Sequence, residues 1–202
     1  MYNAKSKKPF DTLIIELIVV VGLVYVFCLI FFKINLKAAI RYYEAGQYEL
    51  AVDKFTKLAG VAPVDPAIFY RLAVSYSRLG QHNLAIPYYL SALFVKKPST
   101  PLVFYSHLPA PSYVEVYDGL VVSSFALGQF DNAIIYCQQL LRYNSRDAKA
   151  YKMLGIIYHS KALQTGEEEY SRAALRFMQK SLDLDPNIMN EEDMKILQYF
   201  DK

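Results

Sequence analysis

Three histidines, two cysteines and a carboxylate set in an apolar run are the side chains of this 202-residue sequence that could carry chemistry. His82, His107 and His159 are far apart along the chain, and none stands at the Cys, His or Asp spacing that builds a zinc site. Ser160 follows His159, but neighbouring residues on a helix point about 100° apart, so the pair does not make a nucleophile with its base. The recurring pattern Gly-Gln-x-x-x-Ala lacks the further glycines and the lysine of a phosphate loop, and reads as turn chemistry. Cys28 falls in the apolar run and Cys137 at an inward helical position, so both are expected to be buried thiols and not a disulfide framework. No catalytic, metal or cofactor role is expected, and the chain is not read as an enzyme.

The elements that hold these residues are helical. From Thr12 to Phe32 only Glu16 is charged, and this run accounts for much of a 54% hydrophobic composition. Twenty-one residues at ~1.5 Å each make a helix of roughly 30 Å, the thickness of a bilayer's hydrocarbon core. A single transmembrane helix over 12–32 is expected, behind a polar tail, 1–11, that carries Pro9. A cleaved signal peptide is the alternative. It is disfavoured because the run outlasts a signal's apolar region and exits into Lys33-Ile34-Asn35-Leu36-Lys37 without a cleavage site. Glu16 sits about one turn inside the boundary, within reach of headgroup water; a polar partner in the membrane is the other reading.

Charge divides at the same place. Lys5, Lys7, Lys8, Lys33, Lys37 and Arg41 face only Asp11 and Glu16, so the net +3 belongs to the membrane flanks and the remainder is near neutral. Nucleic acid is not an expected ligand, since phosphate binding needs a clustered basic face. The lysines on the two flanks nearly balance, and orientation rests on the habit of a signal anchor behind a short basic tail: amino terminus cytoplasmic, long domain translocated.

Beyond the anchor, Gly46-Gln47-Tyr48-Glu49-Leu50-Ala51 recurs as Gly80-Gln81-His82-Asn83-Leu84-Ala85 and Gly128-Gln129-Phe130-Asp131-Asn132-Ala133. The first two glycines are 34 residues apart and the next two 48, which is 34 plus 14. With Tyr42 and Tyr76 before the glycines, and Ala51, Phe55 and Ala85, Tyr89, Ala92 after them, the chain resembles the tetratricopeptide repeat family, whose 34-residue units are pairs of helices. Four units follow: 32–65, 66–99, 114–147 and 148–187, within a repeat domain over 33–187. In the third, Ser124 and Cys137 replace aromatics; the fourth carries about seven extra residues around Gly166, expected as a lengthened turn. Pro63 and Pro186 fall at the ends of second helices, and Pro87, inside one, predicts a local distortion. The fold class is all-α: a transmembrane helix, an α-solenoid of four helix pairs, and a capping helix in 188–202, where Asn190 is the N-cap and Met194, Ile196, Leu197 and Phe200 cover the last unit.

Two places interrupt the period. The proline-rich insertion 96–112 centres on Leu102, Phe104 and Tyr105; docking on the array's own helices is favoured over a partner-binding loop. The resemblance also implies a groove lined by first helices. Carried over residue by residue, it contains Leu36, Lys37, Ile40 and Tyr43, then Tyr70, Arg71, Val74 and Arg78, then Asp118, Val122 and Phe125, then Lys149, Lys152, Ile156 and His159. Leu36 and Ile40 stand where some members clamp a chaperone's terminal carboxylate, so that ligand is disfavoured. The implied partners are proteins, subunits of a membrane or envelope complex of the secretion, pilus, flagellar-motor or photosystem type, with self-association also open. The resemblance suggests a scaffold in a bacterial inner membrane with a periplasmic repeat domain. A holdase for unfolded or translocating clients is the alternative.

Overall fold

The computed structural model describes residues 10–62, 65–95 and 105–200, all of whose regular structure is helical. The apolar run and the first repeat helix are one element, α1 (Phe10–Glu44), because nothing between Phe32 and Gly46 breaks a helix. α2 (Tyr48–Val61) completes unit one, α3 (Pro66–Arg78) and α4 (His82–Phe94) form unit two, and α5 (Tyr113–Ala126) and α6 (Phe130–Tyr143) form unit three. α7 (Ala148–Thr165) and α8 (Glu168–Leu184) form unit four, and α9 (Glu191–Phe200) packs on both of them.

Each helix lies against its successor, and α3 also touches α5, so the first helices line one face of the stack. The two edges are closed by different chemistry. Within units one to three the glycine sits at φ near +70°, and the next residue's amide donates across the turn: Gln47 to the Tyr42 carbonyl, Gln81 to Tyr76 and Gln129 to Ser124, each at 2.9 Å. This left-handed closure spares the last carbonyls of one helix and starts the next at once, and it is cheap only for glycine. At the other edge side chains start the first helices. Asp65 caps α3, Asp147 caps α7, and Ser112 forms a reciprocal box with Glu115 at α5.

Burial follows the small-residue positions: Ala51, Ala85, Ala133 and Ala174, one on the second helix of each unit, are all 0% exposed. Phe32 joins Leu58 and Ala62 in the first core cluster, so the array begins as soon as the apolar run ends. Pro87 leaves α4 continuous, being exposed and near its first turn.

The extra residues of unit four are not a loop. They lengthen α7 and α8 to 18 and 17 residues and leave only Gly166 and Glu167 between them, with Glu168 and Glu169 in the first turn of α8. Gly155 makes this long pair possible: a Cβ there would meet Met178 Cγ at 2.3 Å and the α8 backbone at 3.2 Å. Pro63, the tail 1–9, Leu102, Phe104 and the Phe200 side chain lie outside the described residues. Of the insertion's described part, Ser106 is buried and its amide donates to Asp65 Oδ2, while Tyr105 packs edge-on against His107. The end of the insertion is thus docked on the array through the same carboxylate that caps α3.

Candidate functional site

The first helices of units two and three bound a cavity of 390 Å³ on the face they line, formed by Tyr70, Val74, Ser77 and Arg78 from α3 and by Glu115, Asp118, Gly119 and Val122 from α5. Its floor comes from elsewhere. Tyr89, on the second helix α4, is 3% exposed, and its phenol passes between α3 and α5 to reach the cavity. Gly119 lets it through: a Cβ at 119 would sit 2.2 Å from Tyr89 Cζ and 2.6 Å from its hydroxyl. Tyr70 packs against Tyr89 with ring centroids 6.1 Å apart. Burial, reinforced by the Glu115 carboxylate, pushes the Tyr70 phenol up to about 12, and burial raises Tyr89 as well. Both therefore remain neutral and able to donate a hydrogen bond at any physiological pH.

Of the residues the groove expectation names, Tyr70, Val74, Arg78, Asp118 and Val122 meet in this cavity. Tyr43 and Arg71 are near enough to act electrostatically on Tyr70, and the Arg71 guanidinium donates to the Ala67 carbonyl at 3.2 Å. Others make contacts within the array. Leu36 packs on the first core cluster, Ile40 is half-buried, and Phe125 packs against Phe130 at 5.9 Å. Lys149 pairs with Asp118 across α5 and α7. Lys152 donates to the Ile188 carbonyl and to Asp193, both at 3.1 Å, and so ties the cap to unit four. His159 is half-buried, and burial lowers its imidazole below the usual range.

Sequence spacing missed three members of the site, because each enters from an unexpected position. Tyr89 belongs to a second helix, Gly119 looks like an unremarkable helical glycine, and His82 follows the turn. His82 Nδ1 stands 3.4 Å from both Ser77 Oγ and Ser123 Oγ, which are themselves 3.5 Å apart. These contacts exceed the roughly 2.6–3.2 Å of a working base and nucleophile, and the trio serves to knit α3, α4 and α5 together. Among the described residues no three His, Cys, Asp or Glu side chains converge as metal ligands. Cys137 is fully buried, which pushes its thiol up to about 12 and leaves it unreactive.

Residues 36–101 match the family model described as tetratricopeptide repeat. Over those residues the chain is similar to the tetratricopeptide repeat family. No curated protein matches it by sequence. Solved structures extend the likeness over most of the chain. The MamA 41-end structure from Desulfovibrio magneticus RS-1 superposes with a TM-score of 0.66 at 19% identity, covering 85% of this chain and 84% of that one. A further MamA crystal structure gives 0.65 at 18%, covering 84% and 80%. YrrB, described as a TPR protein with an unusual peptide-binding site, gives 0.59 at 21%, covering 83% and 73%. At these identities the likeness establishes the fold.

Proposed function

We propose that the chain is a membrane-anchored scaffold that holds an extended segment of a protein partner in its groove and so helps assemble or stabilise a membrane complex. The observation that carries this reading is the cavity between α3 and α5, where two neutral phenols, an exposed guanidinium and apolar Val74 and Val122 surround a space of side-chain size. Glu115 is engaged by Ser112 and Asp118 by Lys149, which leaves Arg78 to attract a partner's carboxylate beside an apolar side chain. A shaped, mixed-polarity pocket suits one partner sequence better than the many clients of a holdase. Support for the anchor comes from α1, which contains an 18-residue window with a mean hydropathy of 3.0 and no buried residue. A bacterial inner membrane, with the repeats on the periplasmic side, is the setting this reading takes.

Purification of the full chain from detergent-solubilised membranes tests the proposal. A stoichiometric protein partner should co-purify with the wild type and be lost from Tyr70→Ala and Val122→Lys, both of which stand on the open face of the array. Equal recovery with the variants would place binding elsewhere, and a consistently partnerless protein would contradict the scaffold reading.

A further inference from the structure

The continuity of α1 decides which part of the array meets the bilayer. Phe31 is exposed while Phe32 is 4% exposed and packed with Leu58 and Ala62, so the helix leaves the array level with the end of α2. Successive helices pack side by side and the glycine turns join the two helices of each unit at one edge, which places the ends of α4 and α6 and the starts of α5 and α7 at the other, the edge α1 leaves from. The glycine turns form the opposite edge. The apolar residues from Thr12 to Phe31, at ~1.5 Å each, span roughly 30 Å. No slack remains to lift the first units away from the surface.

The two edges differ in chemistry. At the edge from which α1 projects, Phe94 ends α4 with 78% of its surface exposed, Tyr113 starts α5 at 55%, and Tyr143 ends α6 at 54%. Tyr113 and Tyr143 stack at 5.3 Å, an aromatic pair left open to solvent. Arg142 and Arg146 are exposed beside them, and the local acids Asp147 and Glu115 are occupied as helix caps. The opposite edge exposes Glu44, Glu49 and Glu167, and there Asp131 is paired with Lys161. The aromatic character stops after unit three, since at unit four the same edge turns to Asp183, Glu191 and Glu192.

We propose that the inter-repeat edge of units two and three, through Phe94, Tyr113 and Tyr143 with Arg142 and Arg146, lies in the headgroup layer of the bilayer that α1 crosses. Aromatic rings are favoured at that depth and arginine pairs with lipid phosphate. The array is then held at two places, its groove at a fixed height and angle above the membrane. The inference rests on the anchor reading but adds a contact which that reading does not require.

The absence of tryptophan makes the test clean. Single-tryptophan versions of the full chain, Phe94→Trp, Tyr143→Trp, Leu127→Trp at the glycine edge and Leu23→Trp within α1, are reconstituted in vesicles of neutral and anionic lipid brominated either near the headgroup or deep in the chains. Phe94→Trp and Tyr143→Trp should be quenched by the shallow bromines at least about twofold more than Leu127→Trp, and Leu23→Trp by the deep ones. Quenching of Leu23→Trp with both edge probes equal to Leu127→Trp would overturn the second contact and leave the anchor standing. An unquenched Leu23→Trp would overturn the anchor and the inference together.

Discussion

Asp65 does more than its position in the sequence suggests. One carboxylate oxygen accepts from the Ala67 and Ile68 amides at 3.0 and 3.3 Å, and the other accepts from Ser106, 41 residues away. Asp65→Ala removes a cap and strands the Ser106 amide, at a cost of about 2–3 kcal/mol. Thermal unfolding should show the loss, and limited proteolysis should show faster cutting in 105–112. Gly119 is the other residue whose role depends on a partner far along the chain. Alanine there would normally favour the helix by about 1 kcal/mol, but its methyl overlaps the buried Tyr89 ring. Gly119→Ala should therefore destabilise by about 1–3 kcal/mol, and the same change in a Tyr89→Leu background should be neutral or stabilising. Neither role was legible in the sequence: a cap and a helical glycine can be guessed locally, whereas their long-range partners depend on how units stack.

At the scale of elements, what repeats was readable and what departs from repetition was not. The glycine turns and the small residues at Ala51, Ala85 and Ala133 impose the same local geometry wherever they occur, which is why spacing alone located three helix pairs. The extra residues around Gly166 read as a lengthened turn, yet both flanks suit helices and Gly155 lets them pack along a longer contact, so they form helical turns. Lys152, carried over as a groove residue, also ties down α9 through the carboxylate of Asp193, which is 4% exposed. Lys152→Met should leave that carboxylate buried without its cation and cost about 2–3 kcal/mol. Hydrogen exchange should then accelerate in α9 and at the end of α8, while α1 to α4 keep their protection.

The whole molecule joins one long apolar helix to a groove-bearing array of helix pairs. α1 runs without a hinge from the apolar segment into the first core cluster, and the cavity lies one unit further on, between α3 and α5. The long apolar helix and the solenoid could be read from composition and period. The cavity could not, since its floor is a second-helix tyrosine admitted by a glycine in the next unit. The central claim is that this groove, and no other face, holds the protein partner. Site-specific photo-crosslinking of the full chain in native membranes tests it most directly, with a benzophenone side chain placed at Val74 or Val122 in the groove and at Ile135 or Leu163, exposed residues outside the cavity. The account predicts one discrete crosslinked protein from the two groove positions, lost when Tyr70→Ala is added, and none from the other two. Equal crosslinking at all four positions, or crosslinks from Ile135 and Leu163 alone, would contradict it.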